Sequence, residues 1–587
     1  MTTSLAPTID DLALEVTGPV LTPENPDYAA EVAAFNVAYT PCPAVVVGAT
    51  DTADIAAAVR WAAASGLRVA VQATGHGLTS DLSGTVLIST RRLTDVSIDP
   101  AAATAAVGAG ARWRAVIDAA APFELAPLNG SSSAVGVVGY TLGGGIGLLS
   151  RRYGFAADHV RSLTVVTADG RIRNVDGDHD PDLFWAIRGG KVGFGVVAQL
   201  QIGLVPVTRF FGGGIYFAGA DAATVLHAWR SWAPTLPHES TTSVALLRLP
   251  VDPQLPPPLQ GQFVVHLRYA HIGDAAAAER LIAPMRAVAP AIIDALGELP
   301  YPAVDAVHMD PTTPMPCYDH GLTLRELTGA SIEALLAAAG AESGSAVTMT
   351  EIRLLGGKLA SAAASPNAVA GRDAAFAVYV LGVLAGPPAP MIPGQVEAVG
   401  SVRSRHGGRA PWPTSPVTAA RRSSVRSGPR ISCAGWPAPP GSTTRRTCSA
   451  VGTCSRSPPD QSAGRPPRLR RRRVARAHDA VAAGGSRLDA FPLDVPGESG
   501  PAPSVGLAPE ACASVALLAA STAERSAAAA AVSAFVADAS AASAAASAAA
   551  SASAVAASAD CRRRSTIAVV AAVATSDRMA AGRFDKR

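Results

Sequence analysis

The chain has 587 residues, 49% hydrophobic and 16% charged, enough to bury the cores of roughly two to four domains. No apolar run is long enough for a transmembrane helix, no secretory signal opens the sequence, and the seven cysteines show neither a CxxC pair nor zinc-like spacing, so we expect a cytoplasmic protein without a metal site. The formal net charge of +3 comes from residues 401–480, where 17 Arg accompany two acids, whereas the remainder carries 32 basic and 44 acidic residues, which argues against a nucleic-acid-binding protein.

Short strands and one capped helix are predicted for the first third of the chain. AVVVGA (44–49) indicates a strand, and Thr50 or Asp51 is a candidate cap for a helix that ends at Gly66. A second buried strand that runs into a glycine turn is expected at 67–77, and further strands at 85–90, 94–100 and 104–113 precede a helix at about 112–121. This mixture is typical of an α+β fold rather than a doubly wound sheet.

The next elements are a hairpin and a second, mostly stranded region. Residues 148–160 predict a short helix and a loop, and 162–175 predict a hairpin that turns at Asp169-Gly170. A helix ending at Gly189-Gly190 and an alternating strand complete the region to residue 207. Residues 208–395 then show strands at FFGGGIYF, FVVHLRYA, TMTEIRLLGG and AAFAVYVLGV and a helix at AAAAERLIAPMRAVA.

The most informative stretch is NGSSSAVGVVGYTLGGGIG (129–147), which holds seven glycines. Since glycine weakens helices and central strands, we expect neither here, but backbone that can lie directly against a flat or anionic ligand. The alternative is a flexible Gly/Ser linker. Interleaved apolar residues such as Val137 and Leu142 favour the ligand cradle.

Three segments in order resemble the berberine-bridge-enzyme-like flavin oxidases, which carry a vanillyl-alcohol-oxidase-type, or PCMH-type, FAD-binding domain. They are ATGHG (73–77), the glycine-rich stretch and DLFWAIRGG (182–190), and the resemblance spans about residues 37–395. It implies an N-terminal segment (1–36), a two-subdomain FAD-binding domain (37–207) and an α/β substrate domain with an antiparallel sheet (208–398). The expected fold class is therefore α+β, and the expected cofactor is FAD.

The resemblance also implies roles for individual residues. His76 matches the histidine that attaches covalently to the flavin, and backbone N–H groups around Thr74, Gly75, Gly77 and Leu78 are expected at the pyrophosphate. A second, cysteinyl attachment in many members falls on Ser132 here. A hydroxyl lacks thiolate nucleophilicity, so we predict a single covalent link.

Further cofactor contacts are expected from the glycine-rich stretch and the strand after the RGG segment. They are Val135, Gly136, Gly139, Tyr140, Gly143, Gly144, Gly145, Gly147, Gly190, Gly195 and Val196. Asp158 and His159 match an acidic loop position of the family. The RGG segment departs from the family's RGGGGNFG, because Lys191 and Val192 replace glycines and Gly193 replaces asparagine.

Chemically, the resemblance implies an oxidase in which the flavin accepts a hydride from a small-molecule alcohol or amine carbon, a protein base takes the proton, and dioxygen reoxidises the flavin to give hydrogen peroxide. Candidate polar residues are Tyr318, His320, Arg353 and Tyr379, followed by Tyr269, Arg325 and Glu351. Each has a structural alternative, so the base stays open. The rival functions are a flavin dehydrogenase with another electron acceptor and an inactive flavoprotein remnant.

The remnant alternative arises because residues 399–587 lose all resemblance. The NF motif and the closing YDPxxxF-type segment of the family are missing from this amino-acid sequence. With GC-rich codons and a shift of two nucleotides, however, residues 411–418 become VANFAGD and residues 441–455 become VDDPADVFRGRDVL. We therefore predict a frameshift near residue 400. The shifted frame also explains the basic run RLRRRRVAR (468–476), for which a nucleic-acid or localisation patch is the alternative interpretation. The Ala/Ser-rich residues 521–560 are expected to be disordered.

Overall fold

The computed structural model describes residues 7–401, 446–448 and 454–456 of the chain. Residues 7–401 form three sheets with their helices, and two short strands pair farther along the chain. The predicted frameshift and disorder at 399–587 therefore fall almost wholly outside the described residues. Within the described part, no helix combines the length and apolar character needed to cross a membrane.

The first sheet has the strand order β1-β2-β4-β3 and includes the N-terminal segment. Val20 pairs with Val47, so residues ahead of 37 belong to this sheet. Asp51 is the predicted cap, and its carboxylate accepts the N–H of Asp54 at 2.9 Å. The elements are α1 Ile9–Glu15, β1 Val20–Leu21, α2 Tyr28–Val32, β2 Val45–Gly48, α3 Thr52–Ala64, β3 Arg68–Gln72 and β4 Thr85–Ser89.

Strand β3 was expected to be buried, but Arg68 and Val71 are exposed. The reason is its position, because β3 is the edge strand of this sheet and lacks a neighbour on one side. Helix α3 packs between this sheet and the next, and its Ile55 shares a core with Val45 and Val196.

The second sheet has five strands in the order β5-β6-β9-β7-β8. The predicted hairpin is confirmed, with Gly170 at φ 73° in the turn. Its elements are β5 Val96–Asp99, β6 Thr104–Gly108, α4 Trp113–Ala120, α5 Val137–Thr141, α6 Ser150–Tyr153, β7 Val160–Val166, β8 Ile172–Val175, α7 Pro181–Gly190 and β9 Val196–Gly203.

The expectation that the glycine-rich stretch contains no helix is wrong. Val137–Thr141 forms the short helix α5, with Gly139 inside it. The helix is stabilised by packing rather than by propensity, since Val137 and Val138 enter the core that α4 and the second sheet share. Extended or irregular backbone continues on both sides of it, as predicted.

The third sheet is antiparallel and has the order β13-β10-β12-β11-β16-β17-β15, with β14 also paired to β10. The sequence analysis missed several of its elements, above all β11, β15 and three of the four helices. They are β10 Arg209–Ala218, α8 Ala222–Trp232, β11 Ser240–Arg248, β12 Phe263–His271, α9 Ala275–Arg286, β13 Ala291–Asp294, β14 Gly297–Pro300, β15 Cys317–Leu324, α10 Gly329–Ala339, β16 Met349–Leu354, β17 Phe376–Val383 and α11 Ile392–Ser401; β18 Arg446–Cys448 and β19 Cys454–Arg456 form the separate pair.

The two faces of the third sheet differ in character. Val265, Leu267 and Ile352 pack with Trp229 and Ile282 of the helices in one apolar core. Because side chains alternate along a strand, the residues between them lie on the opposite face. That face carries polar side chains and turns towards the glycine-rich stretch, as the site geometry below shows.

Candidate functional site

The TGHG turn lies between the first sheet and the N-terminal segment. Gly75 has φ 73°, and a Cβ there would lie 2.7 Å from the Cα of Ala34, so this position requires glycine. The His76 ring stacks on Phe35 with a centroid distance of 3.9 Å, and its Nδ1 lies 2.8 Å from the Thr74 hydroxyl. Burial, and then the charge of Arg112, lower the pKa of His76 to about 4, so the imidazole is neutral at physiological pH.

Backbone donors of this turn are available to a ligand. The N–H groups of Gly75, His76 and Gly77 have no acceptor among the described residues, whereas the N–H of Leu78 donates to the Gly75 carbonyl at 3.3 Å. The carbonyls of Thr74 and Gly75 accept from Phe35 and Asn36 instead. Three N–H groups on a glycine turn that lack an acceptor within the described part of the chain form an anion-binding arrangement, and the predicted contact of Leu78 stays a prediction.

The glycine-rich stretch meets the TGHG turn at Gly136. A Cβ at Gly136 would lie 3.6 Å from the Thr74 side chain, which brings the two predicted cofactor segments together. Gly77 and Gly139 instead face open space, since nothing lies within 4 Å of a Cβ built at either position. These two glycines leave room above the backbone for a bound group.

Other glycines of the stretch are explained by packing within the protein. A Cβ at Gly145 would lie 2.5 Å from the Tyr140 ring, one at Gly130 would lie 2.7 Å from it, and one at Gly147 would collide with the carbonyl oxygen of Asn129. Gly144 has φ 112°. The buried hydroxyl of Tyr140 has no hydrogen-bond partner among the described residues.

Ser132 and Val135 lie just ahead of α5. Ser132 is buried, and its hydroxyl accepts the N–H of Ala134 at 3.3 Å. The carbonyl of Val135 accepts the N–H of Trp113 at 3.1 Å. The hydrogen bonds of both residues therefore stabilise the segment that leads into α5. The absence of a second flavin attachment at Ser132 stays a prediction.

The RGG segment and its following strand also have internal contacts. A Cβ at Gly190 would lie 2.9 Å from the Phe194 ring, and Gly195 has φ 150° and lies against the Val166 carbonyl. Val196 pairs with Val166 and enters the core around α3. Gly190, Gly195 and Val196 thus have packing roles that need no cofactor.

Asp158 has a structural environment. Its carboxylate accepts hydrogen bonds from the Phe155 N–H at 3.1 Å and from Asn367 Nδ2 at 2.7 Å, and it forms an ion pair with Arg372 at 2.5 Å. These contacts tie the loop after α6 to the segment that precedes β17. His159 Nε2 lies 2.9 Å from the Tyr153 carbonyl.

Lys191 is the unusual residue of the RGG segment. Its φ and ψ are 61° and −59°, and the N–H of Val192 donates to the Gly190 carbonyl at 2.7 Å, which together define a γ-turn. Its side chain runs towards the glycine-rich stretch, with Cδ 3.6 Å from a Cβ built at Gly143. Burial lowers the pKa of Lys191, and the charge of Asp319 on β15 opposes that effect.

The polar face of the third sheet centres on Glu351. Arg268 Nη1 lies 3.0 Å from Glu351 Oε1, and Arg353 Nη2 lies 3.1 Å from Oε2. Burial would raise the pKa of Glu351, but Arg353 and Arg268 hold it well below its ordinary value. Arg353 Nη1 also donates to the Ile146 carbonyl at 3.3 Å, so this face contacts the glycine-rich stretch directly.

Two buried histidines extend this cluster. His308 Nε2 lies 3.6 Å from Glu351 Oε1, and burial lowers the pKa of His308. His266 Nδ1 accepts from Arg268 Nε at 3.1 Å, and its ring stacks on Tyr216 at 4.0 Å. A small cavity adjoins the cluster and is lined by Gly147, Leu148, Thr241, Thr242, Ser243, Arg268, Tyr269, His308 and Arg353.

The sequence analysis missed Arg268, His266 and His308. The alternation of FVVHLRYA carried a signal for the first two, because His266 and Arg268 fall on the face opposite Val265 and Leu267. His308 follows a 3₁₀ turn, and no local pattern placed it beside β16.

The four catalytic candidates separate onto two faces of the sheet. Tyr318 and His320 lie on the helix side: Tyr318 Oη donates to Glu397 of α11 at 2.9 Å, and His320 lies against Gly400. Tyr379 and Arg353 lie on the polar face. The Tyr379 pKa is raised well above its ordinary value by burial and by the neighbouring Asp319 carboxylate, to which it is hydrogen-bonded.

The secondary candidates also separate. Tyr269 lies in the apolar core on the helix side, with its hydroxyl 3.2 Å from the Ser240 hydroxyl. Arg325 forms an exposed pair with Asp373. Glu351 lies on the polar face, as described above. Among the described residues, no three His, Cys, Asp or Glu side chains are grouped so as to hold a metal ion.

The chain is similar in sequence to known FAD-binding proteins. Residues 43–176 match a sequence model described as an FAD binding domain. The chain is 27% identical to (R)-6-hydroxynicotine oxidase of Paenarthrobacter nicotinovorans over 51% of its own length and 64% of that protein. It is 34% identical to FAD-dependent monooxygenase FUP4 of Fusarium proliferatum over 33% of its length and 35% of that protein.

The fold is similar to that of BBE-like 1 of Physcomitrella patens. The TM-score is 0.61 at 20% identity, covering 69% of this chain and 90% of that structure. The matches to the two curated relatives above span less than two thirds of their lengths. The chain therefore contains an FAD-binding domain, is related in sequence to FAD-linked oxidoreductases and has the fold of BBE-like 1.

Proposed function

We propose that this protein is an FAD-dependent oxidase that removes a hydride from an alcohol or amine carbon of a small molecule and passes the electrons to dioxygen, forming hydrogen peroxide. One observation carries the proposal. The TGHG turn meets the glycine-rich stretch at Gly136, and the glycine-rich stretch in turn contacts a sheet face that bears buried Arg, Glu and His side chains and adjoins a cavity.

The residues present fit an FAD. Three N–H groups of the TGHG turn that have no acceptor in the described part of the chain suit a pyrophosphate, and the space left open there at Gly77 and Gly139 suits the close approach of a flat group. The unpartnered buried hydroxyl of Tyr140 offers a hydrogen bond at the same stretch. When bound, FAD would supply the two-electron acceptor for the reaction.

We propose a single covalent attachment, through His76. A neutral imidazole has a free lone pair, and the low pKa of His76 keeps it neutral across the physiological range. Thr74 fixes the ring at Nδ1, and Nε2 has no hydrogen-bond partner among the described residues. Ser132 offers no thiolate, so no second attachment is expected.

On the substrate side, the chain's own residues bind and orient. Arg268 and Arg353 share Glu351, so the cluster has one more cation than anion among these three groups. Such a face suits a substrate rich in hydrogen-bond acceptors. Names of relatives include a nicotine oxidase and, among similar folds, carbohydrate oxidases, so polar alcohols and amines form the test panel.

The attachment is tested by acid precipitation of the purified full chain. We expect yellow colour to remain with the pellet of the wild type and of Ser132→Ala, and to appear in the supernatant of His76→Ala. His179→Ala, an exposed histidine of the same domain, is the matched control and should retain its flavin. Free flavin from the wild type would contradict the covalent link.

The activity is tested by measuring oxygen consumption and hydrogen peroxide with a panel of sugars, secondary alcohols and cyclic amines. Peroxide formed in equal amount to the oxidised substrate supports the oxidase. Turnover with an artificial electron acceptor but no peroxide in air would support the dehydrogenase alternative. A flavin-loaded protein that no panel member reduces under anaerobic conditions would contradict both.

A further inference from the structure

We propose that Lys191 is the base that accepts the proton of the substrate's hydroxyl or amine group, with its amine held between the glycine-rich stretch and Asp319 of the polar sheet face. The inference rests on the proposed oxidase function. The sequence analysis left the catalytic base open. Lys191 occupies a position where the family segment that this chain resembles has glycine.

The backbone at Lys191 is strained. A γ-turn with φ 61° and ψ −59° is rare for any residue with a side chain, and glycine would adopt it without steric cost. Such outliers persist where the surrounding structure holds them, and they concentrate at functional sites. A lysine here therefore gives up stability that glycine would keep, which indicates that the side chain has a use.

The choice of lysine is equally unusual. The chain contains 49 basic residues, but only three are lysines, at 191, 358 and 586. An arginine could supply a permanent positive charge at residue 191, and this chain uses arginine almost everywhere else. Arginine does not lose its proton in proteins, whereas a buried lysine does so readily. A requirement for a neutral amine would explain the exception.

The position of the side chain suits the role. Cδ of Lys191 lies 3.6 Å from a Cβ built at Gly143, just after α5, and the charge of Asp319 on β15 acts on the pKa of the amine. Tyr379, on the neighbouring strand β17, is hydrogen-bonded to Asp319. Lys191 thus bridges the predicted cofactor cradle and the face that carries the remaining polar candidates.

The charges around the amine are few. Burial is the main influence on Lys191 and lowers its pKa, while Asp319 is the charged group that acts on it in the opposite sense. The glycine-rich stretch, 129–147, contributes no charged side chain, and its single phenol, Tyr140, packs against Gly130 and Gly145. Proton release from Lys191 is therefore favoured by its surroundings as a whole.

The proton balance is simple. The O–H or N–H bond of the substrate would break, its electron pair would become the second bond to carbon as the hydride departs, and the proton would form an ammonium at Lys191 Nζ; bound FAD would supply the hydride acceptor. The ammonium then returns its proton to solvent before the next turnover. No further reactant is needed beyond the FAD of the proposed function.

A structural alternative must be separated from this role. Lys191 could simply pair with Asp319 or bond the carbonyls at the end of α5. Both structural roles need a positive charge and would be kept by arginine, whereas proton acceptance would not. Lys191→Arg and Lys191→Met thus form a discriminating pair, and Lys358→Met, at an exposed lysine, is the matched control.

The first test measures anaerobic flavin reduction by a substrate found in the oxygen-consumption screen, as a function of pH. The wild-type rate should fall as Lys191 becomes protonated at lower pH. Lys191→Arg and Lys191→Met should both lose about 10²- to 10⁴-fold at the optimum and lack this dependence, while keeping wild-type flavin content. Lys358→Met should follow the wild type.

The second test does not depend on turnover. With [ε-¹³C]lysine, the full chain should give three signals, and the one absent from Lys191→Met should titrate below the other two. Lys191→Gly should raise Tm by about 2 °C or more because the γ-turn strain is relieved, although its flavin-reduction rate falls.

The outcomes separate the two proposals. If the wild type reduces flavin and Lys191→Arg does so at a similar rate, the base is not Lys191 while the oxidase function stands. An ordinary titration of the Lys191 signal would also overturn the inference. If the wild type binds flavin but no substrate reduces it, the proposed function fails, and the NMR and Tm results still report on Lys191.

Discussion

The two sides of the site are built in opposite ways. The glycine-rich stretch works through backbone and the absence of side chains: a Cβ at Gly147 would collide with Asn129, while one at Gly139 would meet nothing. The polar sheet face works through long charged side chains that meet at Glu351. The first side therefore tolerates no added atoms at tightly packed glycines such as Gly147, and the second tolerates no lost charge.

The largest expected effect is on the charged side. Glu351→Ala leaves Arg268 and Arg353 buried without their common partner, and we expect it to lower the free energy of unfolding by about 3–5 kcal/mol. Urea unfolding monitored by circular dichroism measures the change. Glu239→Ala, which breaks an exposed pair with Arg152, is the control and should cost under about 1 kcal/mol. Equal losses in the two variants would show that burial of the cluster is not the cause.

The next effect concerns the backbone side and its histidine. The pKa of His76 is about 4 in the folded state and ordinarily 6.5. At a pH between these two values, His76 is protonated in the unfolded chain but neutral in the folded chain. Stability is therefore lost as pH falls from 6.5 to about 4, by up to about 3 kcal/mol. Flavin-free protein from riboflavin-limited cells should show this loss relative to His76→Gln. Parallel stability curves for the two proteins would disprove it.

The smallest effects separate two kinds of glycine within one stretch. Gly147→Ala should destabilise the protein by about 1–3 kcal/mol with or without flavin, because the new methyl group meets the Asn129 carbonyl. Gly139→Ala should stabilise the flavin-free protein by up to about 1 kcal/mol, since it lies inside α5 and faces open space, yet weaken flavin retention. Thermal unfolding and flavin content measure both. Normal flavin content in Gly139→Ala would place the cofactor elsewhere.

The two regions also differ in how much of their structure could be predicted from the sequence. Motifs located the TGHG turn and the glycine-rich stretch, and Gly136 does lie against Thr74. They failed to anticipate α5, because packing of Val137 and Val138 overrode the low helix propensity of glycine. Local conformational requirements depend on residues that are close in the sequence, so a single sequence is enough to predict them.

The sheet face could be predicted only in part. Alternation could have paired His266 with Arg268, but their meeting with Glu351 depends on the strand order β12-β11-β16, which no local pattern encodes. The same limit explains Tyr318 and His320, whose motif resembled the family although both side chains lie towards α11. Which face of the sheet forms the site depends on the elements that pack against each face, and these are distant in the sequence.

The hydrogen bonds of Asn36 have a consequence for the order in which the site assembles. Its side chain donates to the Leu78 carbonyl at 3.3 Å and the Cys317 carbonyl at 3.1 Å, and accepts from the Cys317 N–H. The turn that holds His76 is thus fastened to a strand synthesised much later. During translation the histidine emerges early, but its final surroundings exist only once β15 has left the ribosome. We therefore expect the proposed attachment at His76 to occur late in biosynthesis, after the contact of Asn36 with β15 has formed.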